Sequence, residues 1–118
     1  MHPFYRSFLG LTAATFSAAA SSEAPKLSFT KDVAPILHEK CATCHRAGQM
    51  APMSLLTYEE VRPWVKAIRE NVSTKKMPPW HATASAAPFT NDRSLSQAQI
   101  DTIIAWIDQG APRGNPSD

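Results

Sequence analysis

The chain has 118 residues, a formal net charge of +2 and two cysteines. This length suits one small domain, and the lack of a basic block in the sequence argues against a nucleic-acid partner. A domain this small buries only a modest share of its surface, so we expect a metal, a cofactor or a covalent staple to help stabilise it.

Residues 1–20 have the pattern of a secretory signal peptide. Arg6 is followed by an uncharged apolar stretch that ends in three alanines, residues 18–20. A basic start, an apolar stretch too short to span a bilayer permanently and an A-x-A site predict cleavage after Ala20. Residues 21–118 would then form one exported domain with no membrane span, periplasmic or secreted by a bacterium. The alternative is an uncleaved membrane anchor.

The first helix is expected from about residue 30 to residue 41. Thr30 can cap its N-terminus, and Pro35 falls near the first turn, where its missing N–H costs least. Apolar residues follow at helical spacing: Val33, Ile36 and Leu37.

The second helix is expected to begin in "LLTYEEVRPW". Thr57 and Glu60 have the spacing of a capping box, and Pro63 should kink the helix or divide it into a short lead and a longer body. Five apolar residues form one face: Val61, Trp64, Val65, Ile68 and Val72.

The third helix has the clearest signals. Ser96 and Gln99 have the spacing of a second capping box, and Gly110 should end the helix. One face is apolar: Ile100, Ile103, Ile104, Trp106 and Ile107. The expected fold is all-α, with three main helices and one long loop between the second and the third. A long loop in a compact domain usually has a function.

Both cysteines lie in "CATCH", residues 41–45, which allows four interpretations. A disulfide between Cys41 and Cys44 would close almost no loop, and a thioredoxin-like pair normally belongs to a βαβ context. A zinc site needs about four ligands, which are scarce outside this motif. The remaining interpretation is covalent attachment of haem c by C-x-x-C-H, with His45 as the proximal iron ligand.

A haem held by His45 on one side leaves the opposite iron position to be filled or left open. Met50 and Met53 follow His45 too closely to reach that face, and we expect them to pack on the haem or in the core. Met77 follows 32 residues later, between the second helix and two backbone-restricting prolines. Met77 is therefore the predicted distal ligand, and His81 is the other candidate.

Taken together, "CATCH", the "MPPWHA" loop and the closing "LSQAQIDTIIAWIDQGAP" run resemble single-haem class I c-type cytochrome domains. The chain is most similar to a bacterial subgroup with "FTKDVAPIL", "LLTYEEVRPW" and "KMPPWH" runs, and the resemblance covers about residues 27–112. It implies a small cytochrome c-like fold whose first and last helices pack across each other. It also implies that Cys41 and Cys44 carry one haem c, with His45 proximal and Met77 distal to the iron.

Residues around the motif have expected supporting roles. The carbonyl of Pro52 could accept the Nδ1–H of His45 and raise its donor strength. Trp80, Arg62 or Arg69 could pair with the haem propionates. His38 is expected to face solvent. Trp64 and Trp106 are expected in the core.

Four basic residues flank the predicted ligands and could steer an acidic redox partner: Lys40, Arg46, Lys75 and Lys76.

The leading hypothesis is an electron carrier, not an enzyme: a monomer that exchanges single electrons with redox partner proteins by cycling between Fe(III) and Fe(II). It could serve a larger oxidoreductase. The alternative is a haem-based enzyme accessory or sensor domain in which a labile Met77 lets a peroxide or a gas bind. A third possibility is a module without haem whose two cysteines form a strained disulfide.

Overall fold

The computed structural model describes residues 23–82 and 89–118. The predicted signal peptide, residues 1–20, lies outside the described residues. Within these two ranges the regular secondary structure is helical and contains no strand, which confirms the expected all-α class.

The first helical segment begins with a π-helical turn, Phe29–Val33, and continues as helix α1, Ala34–Lys40. Ser28 caps it from extended backbone, and its side chain accepts a hydrogen bond from the Lys31 N–H at 3.4 Å. The predicted cap at Thr30 is therefore wrong. The helix begins earlier because Ser28 supplies the side-chain oxygen that its first turn requires.

The second segment is divided at Pro63, as predicted. Helix α2, Tyr58–Val61, is followed by a 3₁₀ turn, Arg62–Trp64, and by helix α3, Val65–Ser73. The capping box of Thr57 and Glu60 is present, with both reciprocal hydrogen bonds.

The prediction of a core position for Trp64 is wrong, because its side chain is 43 % exposed. Trp64 belongs to the 3₁₀ turn, which has three residues per turn rather than 3.6. The turn therefore shifts the side chain away from the apolar face expected of a continuous helix.

Helix α4, Gln97–Asp108, has the predicted capping box of Ser96 and Gln99. It ends before Gly110, whose φ of +90° suits a glycine better than any other residue. Trp106 is fully buried, as expected, and its indole N–H donates to the carbonyl of Pro112 at 2.8 Å.

The two ends of the domain meet in the core. The ring of Phe29 lies 6.0 Å from that of Trp106 and 5.6 Å from that of Tyr58, measured between centroids. The first helical segment therefore packs against α4, as the resemblance implied. The C-terminal tail adds a backbone hydrogen bond from the Phe29 N–H to Pro112 at 3.0 Å. In the described part of the chain, no helix is both long enough and apolar enough to cross a membrane.

Candidate functional site

The CATCH motif forms a compact turn at the end of α1. The Cys41 N–H continues the helix by donating to the carbonyl of Leu37 at 2.9 Å. The carbonyl of Cys41 then accepts the N–H of Cys44 at 3.1 Å and that of His45 at 2.9 Å. These bonds gather both cysteines and the histidine at one end of one helix. Both thiols are half-buried, and neither forms a disulfide.

The Cys41 thiol lies in an apolar environment. Burial, with a smaller contribution from the nearby Cys44, raises its pKa from 9.0 to about 11. The thiol is therefore uncharged at neutral pH and packs as a small apolar group beside the core.

The ring of His45 is oriented by the loop that follows the motif. Its Nδ1 lies 3.2 Å from the carbonyl oxygen of Met53. A carbonyl only accepts hydrogen bonds, so Nδ1 carries the hydrogen and the lone pair of Nε2 is available to a metal. The predicted partner, the carbonyl of Pro52, is wrong by one residue.

Backbone hydrogen bonds fold this loop back onto the motif. The Ala51 N–H donates to Cys44 at 3.2 Å, and the Leu55 N–H donates to His45 at 3.0 Å. His38 is exposed, as expected, yet its ring Nε2 lies 2.8 Å from the carbonyl oxygen of Leu56. This contact was not foreseen, because the sequence does not reveal that the loop passes over α1 at that point.

Met77 is held on another wall of the site by a tight turn after α3. Lys75 adopts a left-handed backbone, with φ of +56°. The carbonyl of Asn71 accepts two consecutive N–H groups, from Lys76 at 2.9 Å and from Met77 at 3.1 Å. The turn reverses the chain and brings Met77 back toward the motif. The Met77 side chain is 41 % exposed.

Two adjacent cavities separate these walls. The larger, about 290 Å³, is lined by the four residues predicted to hold the haem, Cys41, Cys44, His45 and Met77. The remainder of its lining is mostly apolar: Met50, Ala51, Pro52, Pro78 and Pro79, with Lys40 and Arg93.

The smaller cavity, about 50 Å³, extends toward the core and shares Cys41, His45 and Met77 with the larger one. Its other lining residues are Leu37, Met53, Leu55, Ala67, Ile68, Asn71 and Val72. Two thiols, one imidazole and one thioether thus face cavities whose walls are otherwise mostly apolar. This donor set fits a covalently attached haem with one nitrogen and one sulfur ligand.

The cytochrome c family model matches residues 31–111, most of the chain. This chain belongs to the cytochrome c family. It therefore carries haem c, attached through Cys41 and Cys44, and its iron serves electron transfer. Neither the curated proteins nor the solved structures include a significant match to it.

The two candidate distal ligands of this cytochrome differ in position. Met77 lines both cavities, whereas His81 is exposed beyond Pro79, outside the lining of these two cavities. Met53 packs against the core, as expected. Met50 lines the larger cavity, but its side chain is 87 % exposed.

Arg93 is a residue of the site that sequence reasoning missed. Its Nη1 lies 3.6 Å from the sulfur of Cys44, and its side chain lines the larger cavity. Nothing in the sequence singles it out, because it lies in a loop 49 residues after Cys44.

Arg69, one of the residues that could pair with the haem propionates, contacts Asp108. Its Nε lies 2.9 Å from Oδ1 of Asp108, and Nη2 lies 3.2 Å from Oδ2. Trp80 packs edge-on against Phe89, with ring centroids 5.8 Å apart.

Within residues 23–82 and 89–118, no three His, Cys, Asp or Glu side chains are grouped so that they could hold a metal ion. Such a group is what the zinc interpretation of the motif requires.

Proposed function

We propose that this cytochrome is a one-electron carrier in which His45 is the proximal and Met77 the distal ligand of the haem iron. The observation that carries the proposal is that the larger cavity is lined by all four residues, Cys41, Cys44, His45 and Met77. Three of these residues come from the end of α1 and the fourth from the turn after α3, so they approach the cavity from different elements.

The haem supplies the Fe(III)/Fe(II) couple. His45 offers Nε2 because its Nδ1–H is engaged by Met53. Met77 offers a soft sulfur donor, which favours Fe(II) and raises the reduction potential relative to a second histidine. With both axial positions filled, no coordination position is left for a substrate, which is the property of a carrier rather than of a gas-binding or peroxide-binding site.

The apolar lining keeps water away from most of the site, and the mouth of the larger cavity offers a small surface for brief contact with a redox partner. Lys40 lines this cavity, but its side chain is largely buried and paired with Glu39. Arg93 also lines the cavity, and the exposed Lys75 lies in the turn that precedes Met77. Their positive charges favour an acidic partner surface and speed encounter with it. We propose that the protein acts as a monomer after export and cleavage at Ala20.

Replacement of Met77 tests the axial assignment. The oxidised protein should show a weak far-red band from sulfur-to-iron charge transfer, and Met77→Ala should abolish it and lower the reduction potential. Met50→Ala is the matched control, because Met50 lines the same cavity but is almost wholly exposed. That variant should keep the band.

Cyanide and carbon monoxide complete the test. The unmutated protein should bind them slowly or not at all, and Met77→Ala should bind them rapidly. A band that persists in Met77→Ala contradicts the assignment. Rapid binding by the unmutated protein would instead support the sensor or enzyme alternative.

A further inference from the structure

The segment of residues 53–56 connects the histidine of the haem motif to two helices. Its first residue accepts the Nδ1–H of His45, 3.2 Å away, and its third donates its N–H to the carbonyl of His45 at 3.0 Å. The carbonyl of its last residue, Leu56, accepts a hydrogen bond from His38 at 2.8 Å. The Leu56 N–H donates to Glu60 at 3.1 Å, which joins the segment to α2.

His38 lies on α1, whose C-terminal end carries the haem motif. Helix α1 therefore holds the motif through the N–H groups of Cys41 and Ala42, which donate to the carbonyl of Leu37. It holds residues 53–56 through the side chain of His38. A Nε2–H facing a carbonyl at 2.8 Å is a short N–H···O contact, whereas the 3.2 Å contact of His45 with Met53 is at the long end of the range. The longer contact is the one that a small displacement of the segment would break.

We propose that His38 is a positioning residue. By holding the Leu56 carbonyl to α1, it keeps the Met53 carbonyl against Nδ1 of His45 and so sets the donor strength of that histidine. The inference rests on the proposed role of His45 as proximal ligand. His38 does not contact the cavity and acts only through residues 53–56.

The direction of the effect follows from the hydrogen bond. A carbonyl that accepts the Nδ1–H makes the imidazole a stronger donor, which stabilises Fe(III) over Fe(II). When residues 53–56 shift, this hydrogen bond weakens and His45 donates less. Loss of the His38 contact should therefore raise the reduction potential of the haem.

The test compares three variants of the haem-loaded protein. His38→Gln keeps an amide N–H at about the reach of Nε2, His38→Asn has the same amide one methylene shorter, and His38→Ala has no donor. Potentiometry reports the reduction potential, and NMR of the oxidised protein reports how fast the Nδ1 proton of His45 exchanges with solvent. Gln97→Ala is the control, because it removes an exposed side-chain hydrogen bond on α4, to Asp101.

We expect a raised potential and at least tenfold faster Nδ1 proton exchange in His38→Asn and His38→Ala. The values of His38→Gln and Gln97→Ala should match the unmutated protein. Equal potentials and exchange rates in the Asn and Gln variants would overturn the inference, because the two differ mainly in reach. If His38→Ala does not accumulate, the Asn and Gln pair still decides the question.

A failure of the proposed function is distinguishable from a failure of this inference. If His45 does not bind the iron, the NMR spectrum of the unmutated oxidised protein will show no paramagnetically shifted signals from its ring protons. If those signals are present but do not respond to His38→Asn, His45 ligates the iron and only the role of His38 is refuted.

Discussion

Gly114 lies where the C-terminal tail passes the start of the first helical segment. Its φ is +86°, and a Cβ added there would lie 2.5 Å from Oγ1 of Thr30 and 2.6 Å from Cβ of Ser28. Real Cβ atoms do not approach other atoms this closely, and a left-handed backbone already disfavours a side chain. A side chain at this position would therefore push the tail away from the helix that it covers.

Gly114→Ala should lower the free energy of unfolding by about 2–5 kcal/mol, the sum of backbone strain and overpacking. Gly110→Ala is the matched control, because Gly110 has a similar φ of +90° but no atom within 4 Å of an added Cβ. It should cost only the backbone part, about 1–2 kcal/mol. Urea unfolding of the haem-loaded variants measures both costs. Equal costs would show that the close contacts at Gly114 relax without penalty.

At the same scale, the sequence singles out four residues that line the larger cavity, but it does not predict the contacts that hold them in place. Cys41, Cys44 and His45 follow from a local motif, and Met77 follows from the prolines after it. The partner of His45 is Met53 rather than Pro52 because hydrogen bonds at Ala51 and Leu55 set the register of the loop. Arg93 and His38 make their contacts across long sequence separations, and no local pattern indicates such contacts.

At the scale of elements, the two capping boxes and the break at Pro63 follow from local chemistry, so sequence predicts them correctly. The π-helical turn of residues 29–33 does not follow from local chemistry, because it depends on where the C-terminal tail lies. The Phe29 N–H bonds to Pro112 and the Thr30 N–H bonds to Arg113, 83 residues away in both cases. The misplaced cap at Thr30 and the misplaced Trp64 both result from short irregular turns that helical periodicity does not predict.

Helices α3 and α4 are joined at their surface by the two-pronged contact of Arg69 with Asp108. The hydrogen bonds from Arg69 hold the pKa of the Asp108 carboxyl below its ordinary value of 3.8, and the charge of Arg69 adds to the effect. A carboxyl whose folded pKa is lowered contributes stability above its unfolded pKa. That contribution is lost as the pH falls through the lowered folded value.

Arg69→Gln should therefore be slightly less stable than the unmutated protein at pH 7, and the difference should shrink as the pH falls below 3.8. Added salt at pH 7 should shrink it as well, because both side chains are exposed. Lys66→Gln, on an exposed residue of the same helix, removes the same charge and is the control. Urea unfolding across pH measures the difference. A difference that does not vary between pH 7 and pH 3 contradicts a role for the ionised pair.

At the scale of the whole molecule, the packed core lies on one side of the cavity. Its buried residues come mainly from the first helical segment, α3 and α4: Phe29, Val33, Leu37, Ile68, Val72, Ile100, Ile103 and Trp106. The cavity wall opposite the core consists of loops that contain Met50, Pro52, Pro78 and Pro79. The haem is therefore expected to fill the space between these loops and the core.

The apolar lining of the larger cavity supports this expectation. Without haem these walls would face water, which cannot replace the apolar contacts that a haem makes with them. The total stability of a small domain is only about 5–15 kcal/mol, so the loss of these contacts would be a large part of it. Much of the stability of this cytochrome is therefore expected to depend on its cofactor.

Cys41→Ala or His45→Ala should prevent stable folding, because each removes one attachment of the group that fills the cavity. Far-ultraviolet circular dichroism should show reduced helicity, and the variants should lose a cooperative urea transition. Met50→Ala, on the exposed rim of the same cavity, should remain folded and keep its haem. A haem-free His45→Ala protein with native helicity and a sharp transition would refute the expectation. It would mean that the helical core, held by Phe29 and Trp106, is sufficient for the fold without the haem.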